Sequence, residues 1–176
     1  MRRVADIEWT TWTPRDQATL LFVVHDERVL LIRKKRGLGA GKVNGPGGRL
    51  HAGESERAAA IREVQEELCV TPRDITRLGE LSFQFTDGYG LFCGVFRAEG
   101  LIGEPRETDE AIPLWTPVDQ VPFDEMWADD RLWFPHLLAW NLFRGRFIFD
   151  GDAMLDHDLR VEVPKPAPAG LLESFV

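Results

Sequence analysis

Apolar and polar residues change rhythm several times along this chain, and each rhythm predicts an element. Ala18 to Val24 is a run of apolar and β-branched residues, and Arg28 to Ile32 is a second. The polar triplet His25-Asp26-Glu27 between them is short enough to turn, so the two runs predict a β-hairpin. From Ser55 to Leu68 the period lengthens: strong helix formers fill the segment, and Ile61, Val64 and Leu68 share one helical face. Thr71-Pro72 is expected to end that helix. Ile75 to Phe85 and Leu91 to Arg97 return to a strand pattern around a turn at Tyr89-Gly90, and Ile112 to Pro117 is a shorter strand. Asp130 to Phe143 carries Leu132, Leu137, Leu138 and Leu142 at helical intervals and predicts a second helix, with Pro135 inside it. Arg146 to Phe149 predicts a last strand.

The interruptions matter as much. Residues 36–48 hold six glycines and Pro46, too irregular for the interior of an element, and predict a shaped loop. Residues 1–14, with Trp9, Trp12 and Pro14, predict an irregular lead-in, and the Pro-rich stretch after Val163 predicts a mobile tail over 164–176. No internal repeat is present. Strands and helices in this order predict a single α+β domain over 1–163, a mixed sheet flanked by helices.

Composition narrows the classes. A chain of 176 residues with 44% hydrophobic and 28% charged positions can bury one core. A net charge of −8 argues against a nucleic acid polymer as partner, because such binders carry a basic stripe. A small phosphate ligand remains compatible with an acidic protein when divalent cations bridge the like charges. No run approaches the roughly 18 apolar residues of a membrane span, and the N-terminus has no hydrophobic signal region, so a cytoplasmic, membrane-free protein is expected. Cys69 and Cys93 are too few for a disulfide framework or a zinc site and read as reduced thiols.

Within the first helix Glu63, Glu66 and Glu67 stand at i, i+3 and i+4, which puts three carboxylates on one face. Like charges so close cost a few tenths of a kcal/mol per pair, and acidic residues suit a helix C-terminus poorly. A solvated acidic face is the ordinary explanation of such a cluster. Here Glu54 precedes the helix, Arg62 adjoins the cluster, and Gly45, Gly47 and Gly48 form a turn leading into it. Hard divalent cations need clustered oxygen ligands of this kind, and such cations clamp diphosphates.

These residues carry a resemblance. The pattern Gly48-x5-Glu54-x7-Arg62-Glu63-Val64-x-Glu66-Glu67-x-Cys69-Val70 resembles the catalytic box of the Nudix family at every prescribed position but one, where Cys69 replaces a helix-ending glycine. The resemblance implies a Nudix-type α/β/α sandwich and a pyrophosphohydrolase using Mg2+, with Mn2+ as a substitute. It implies that Glu63, Glu66 and Glu67 ligate the cation, Glu67 centrally, with Gly47 beside them, and that Arg62 orients Glu63 or Glu54. Glu110 matches a further acidic position used for metal or base, although a single acidic loop residue is usually just solvated.

Residues 34–48, 122–130 and 133–135 further resemble the mammalian-type MutT homologues of that family, and the likeness runs over about 17–163. That implies cleavage of oxidised purine nucleoside triphosphates to monophosphate and pyrophosphate, with Asn44, Trp127, Asp129 and Asp130 reading the base. Lys34, Thr19, Phe83 and Leu38 match other pocket positions. Leu38 replaces an aromatic and gives up its stacking. The chemistry suits a purine: an indole stacks on the flat face, and Asp129-Asp130, if buried together, keep one proton between them. Spacing alone leaves other readings open. Asp129 or Asp130 can cap the second helix, Trp127, Phe83 and Phe85 can be core aromatics, and Lys34 can be solvated. The glycines at 37–41 do not form a P-loop, for they lack Gly-x4-Gly-Lys-Ser/Thr. Rival functions are hydrolysis of another nucleoside diphosphate derivative (ADP-ribose, a dinucleotide, an RNA 5′ end) and a non-catalytic nucleotide-binding module. The expected partner is a small nucleotide and the expected state a monomer.

Overall fold

The computed structural model describes residues 1–164, so the expected tail lies, apart from Pro164, outside the described residues. After a short 3-10 turn at Val4–Asp6, the chain enters β1 (Asp16–His25) and β2 (Arg28–Lys34). The hairpin between them is the expected one, but its turn is only Asp26-Glu27, both at positive φ (49° and 57°). Paired positive angles are what a two-residue turn needs to follow the twist of its strands.

The glycine-rich stretch is more ordered than its composition predicts. It contains β3 (Val43–Asn44) and β4 (Gly47–Arg49). Helix α1 (Glu56–Leu68) follows, then β5 (Thr71–Phe85), β6 (Gly90–Ile102) and β7 (Ala111–Pro117). Helix α2 (Asp130–Leu138) is shorter than expected. Trp140 takes φ 62° and the chain turns into β8 (Leu142–Asp150), so the leucine at 142 belongs to a strand. A ninth strand, β9 (Ala153–Glu162), was not legible because at its exposed edge position none of its residues is fully buried.

All nine strands join one mixed sheet in the order β3-β2-β1-β6-β5-β8-β9, with β4 on β1 and β7 on β2. β1 runs parallel to β6 and β5 parallel to β8; the other pairs are antiparallel. Side chains alternate across the sheet. Leu21, Val23, Leu30 and Ile32 meet Ala60, Val64 and Leu68 of α1 on one face, while Phe22, Val29 and Leu31 meet Trp133, Phe134 and Leu137 of α2 on the other. This is the α/β/α layering. β1 and β2 pair only through Val23–His25 and Arg28–Leu30; beyond that, β1 turns to β4 and β2 to β3. The sheet splays there, and the functional residues gather around the opening.

Candidate active site

The local sequence explains how α1 presents its carboxylates. Ser55 caps the helix, its Oγ accepting from the Ala58 N–H at 3.1 Å, and Glu56 suits the positive end of the dipole. At the other end there is no basic residue. The orphan carbonyls of Glu67 and Leu68 accept instead from the Thr108 hydroxyl at 2.8 Å and the Arg106 N–H at 3.0 Å. The helix ends on Cys69 itself, left-handed at φ 61°, before Thr71-Pro72 is reached. The departure from glycine has therefore not changed the cap, only made it costlier.

Arg62 organises the acidic face. Its guanidinium grips Glu54 bidentately at 2.7 and 2.9 Å and reaches Glu63 at 2.9 Å, Glu66 at 3.1 Å and the Arg49 carbonyl at 3.0 Å. Glu54, bonded to Arg62 and to the His51 N–H, is held down to about 2. Glu63 and Glu67, one turn apart, are buried, whereas Glu66 is half-exposed. Burial raises Glu63 despite Arg62. It raises Glu67 to about 8, against the Gly47 N–H bond at 3.0 Å and the positive field of Lys34. The glycines permit this approach: a Cβ on Gly48 would overlap the Glu63 carboxylate, and one on Gly47 the Thr19 carbonyl.

These carboxylates form the polar end of a cavity of about 540 Å³. Glu63, Glu67, Glu110, Lys34, Gly47 and Thr19 line it there, and Asn44, Leu38, Phe83, Trp127, Asp129 and Asp130 line the remainder. Of the expected site residues only Glu66 and Arg62 stand off its wall. Glu110 pairs with Arg36 at 2.6 Å. Asn44 accepts the Gly45 N–H at 2.8 Å through Oδ1, and its amide NH2 has no bond among the described residues.

The aspartates do not cap α2. Asp129 occupies the cap position without a side-chain cap bond, and its Oδ2 accepts from Trp133 Nε1 at 2.8 Å. Both aspartates are almost wholly buried (1% and 2% exposed), and Asp129 Oδ1, Asp130 Oδ2 and Thr19 Oγ1 have no hydrogen-bond partner among the described residues. Burial pushes Asp129 up to about 6 and, with the neighbouring charge, Asp130 well above the usual carboxylate range. Unpaired buried oxygens cost about 1–3 kcal/mol each unless a ligand satisfies them.

Comparison with known proteins gives the family. A NUDIX domain family model matches residues 14–137. The chain belongs to the Nudix family. It is 46% identical over 143 residues to a zebrafish (Danio rerio) protein named oxidized purine nucleoside triphosphate hydrolase, covering 80% of this chain and 92% of that one. A mouse (Mus musculus) protein of the same name is 41% identical over 144 residues, covering 81% and 92%. Among solved structures, a MutT protein from Bacillus halodurans superposes with a TM-score of 0.74 at 29% identity, covering 82% of this chain and 97% of that one.

Nudix hydrolases use divalent cations, and the residues present suit one. Glu67 Oε2 is buried without a partner and its neighbour Glu63 is short of solvent, a pair that a hard cation would satisfy. Among the described residues no three carboxylate, imidazole or thiol groups converge into a complete cage, so backbone or phosphate oxygens would have to supply the remaining ligands. Sequence reasoning missed Tyr89, Leu91 and Phe149 in the cavity wall. Leu91 and Phe149 lie near strand ends and Tyr89 on the turn between β5 and β6, places that only the pairing of β5, β6 and β8 brings together.

Proposed function

We propose that this Nudix protein hydrolyses oxidised purine nucleoside triphosphates, 8-oxo-dGTP and 2-hydroxy-dATP among them, to monophosphate and pyrophosphate, with Mg2+ as its cation and Mn2+ as a substitute. The observation that carries the reading is the Asp129–Asp130 pair, with its buried unpaired oxygens, in an aromatic cavity that ends on Glu63 and Glu67. The names of the zebrafish and mouse relatives support it.

Each residue then has a task. Trp127 offers its indole face to the purine. Two adjacent carboxyls in a dry site retain a proton between them, so Asp129 and Asp130 together present an acceptor and a donor to the base edge. Asn44 reads a further edge position with its free amide. Glu63 and Glu67, with the Gly47 carbonyl, would hold the cation, and Glu66 and Glu110 would assist. Arg62 keeps Glu63 and Glu54 in place. When bound, the cation neutralises the triphosphate and acidifies a water. Water attacks a phosphorus of the triphosphate and pyrophosphate leaves. The small nucleotide is the only partner this reading requires.

A turnover panel with Mg2+ tests the substrate. 8-oxo-dGTP and 2-hydroxy-dATP should exceed dGTP and ADP-ribose in kcat/KM, and the reverse order would sink the assignment. Asp129→Asn should lower kcat/KM for the oxidised purine at least tenfold while the protein keeps its response to Mg2+; an unchanged value would leave Asp129 a purely structural partner of Trp133.

A further inference from the structure

One corner of the cavity depends on residues that precede the matched 14–137 segment. Tyr89 lines the cavity beside Phe85, with ring centroids 5.7 Å apart. It extends an aromatic wall that continues from Phe85 to Phe149 and Trp127. On the glycine-rich loop, where an aromatic was expected, Leu38 is 46% exposed.

Tyr89 sits on the four-residue turn joining β5 to β6. Such turns are mobile by default, yet this one is tied at both ends. The Tyr89 hydroxyl donates to Asp16 Oδ2 at 3.0 Å. Gln84, buried at the end of β5, donates its amide to the Phe85 and Tyr89 carbonyls at 3.1 and 3.0 Å. Its own carbonyl accepts from Trp12 Nε1 at 2.8 Å, so both donors and the acceptor of that amide are engaged. The Arg15 N–H donates to the Gly90 carbonyl at 2.8 Å. The segment behind Trp12 is itself anchored: Trp9 packs on Trp12 at 5.2 Å, Arg146 of β8 lies over Trp9, and Asp156 of β9 accepts from the Val4 N–H.

We propose that Tyr89 contacts the substrate and that Trp12, acting through Gln84, positions it. The proposal rests on the nucleotide reading of the cavity and on nothing finer about the base. A phenol held by Phe85 and Asp16 presents an apolar face to a purine or its sugar. Without the indole bond the Gln84 carbonyl loses a buried partner, the amide is free to turn, and the two carbonyls that shape the turn keep only their backbone partners, the Gly88 and Phe85 N–H groups. Among the described residues neither Tyr89 nor Gln84 hydrogen-bonds Glu63, Glu66 or Glu67, so the effect falls on binding.

The test is a double-mutant cycle on the full chain with Mg2+ and 8-oxo-dGTP, comparing Trp12→Phe, Tyr89→Ala and the two combined. Tyr89→Ala should raise KM about five- to tenfold, the low end of what base–aromatic contacts contribute, with kcat unchanged. Trp12→Phe should raise KM about two- to fourfold when Tyr89 is present and not at all alongside Tyr89→Ala. Additive KM effects, or loss of kcat at constant KM, would overturn the proposal. If Trp12→Phe does not fold, Asp16→Asn in the presence and absence of Tyr89→Phe asks the same question from the other tether. There, a KM rise confined to the Tyr89 background supports the proposal and an equal rise in both refutes it. Should 8-oxo-dGTP not be hydrolysed, the cycle is run on whichever panel nucleotide is, or on the calorimetric Kd of dGMP. Failure of the substrate assignment and failure of the Tyr89 assignment are thus separate outcomes.

Discussion

Replacing Cys69 by glycine should relieve a backbone penalty while disturbing little else. Cys69 ends α1 at φ 61° and ψ 29°, its N–H donating to the Gln65 carbonyl at 3.0 Å, and its side chain is exposed. An L-residue in the left-handed region costs about 1–2 kcal/mol, and glycine avoids that cost. Against it stands the greater freedom of glycine in the unfolded chain, about 0.4–1 kcal/mol. The exposed thiol loses almost no burial, so the difference is a net stabilisation of about 0.5–1 kcal/mol. For a chain of this size that corresponds to a Tm rise of about 1–4 °C. Urea unfolding without divalent cations and under reducing conditions is the assay, so that cation affinity and thiol oxidation do not contribute. Cys69→Ala serves as control, since it removes the thiol and keeps the penalty; it should stay within about 0.5 kcal/mol of the parent, as surface changes do. If glycine proves no more stable than alanine, the left-handed residue is not strained and the reasoning is wrong.

Three further outcomes are expected. Glu67→Gln should reduce kcat by roughly 100-fold or more, the scale of a lost transition-state contact, yet leave the metal-free protein as stable as before or more so, because burial already disfavours the Glu67 charge. The thermal shift given by Mg2+ should shrink with it; an equal shift in both proteins would count against ligation. The raised carboxyls of Asp129 and Asp130 set a pH dependence of stability. The folded protein binds their protons more tightly than the unfolded chain does, so their contribution is full below the ordinary value of 3.8 and is lost as pH rises through about 6 and beyond. Asp130→Asn should therefore flatten the fall of unfolding free energy as pH rises through about 6 and beyond; an unchanged slope would assign that fall elsewhere. Gly48→Ala should cost about 1–3 kcal/mol of stability, as overpacking does, and depress kcat as the new methyl displaces the Glu63 carboxylate. Normal activity in that variant would show that Glu63 has room to move.

Much of the site was legible because its parts are local. Glu63 and Glu67 are one turn apart on a single helix, so helical periodicity alone puts them together, and the Ser55 cap and Gly47-Gly48 turn lie within the same stretch. The hairpin of β1 and β2 was legible for the same reason. Periodicity did not show how the face divides. Glu66 shares the helix face with its neighbours but stays half-exposed, because only Glu63 and Glu67 point toward the opening between β1 and β2. Nor did it show whether Asp129-Asp130 cap α2; the missing cap bond, the Trp133 bond and the burial of both carboxyls show that they do not. The edge strand β9, the short strands in the glycine loop and the end of α2 at Leu138 were missed or misplaced where tertiary pairing outweighed local preference.

The sequence by itself determined the family of this protein and the clustering of its helix carboxylates, since the glutamates of α1 with their capping and turn residues are written in one continuous stretch. The tertiary structure decided everything that depends on distant segments meeting: the splayed sheet that opens the cavity, the burial of the Asp129–Asp130 pair, and the Trp12–Gln84 tether behind Tyr89. The physical reason is that burial, which shifts the carboxyls and leaves their oxygens unpaired, belongs to the packed molecule. Residue types and their spacing do not encode it directly.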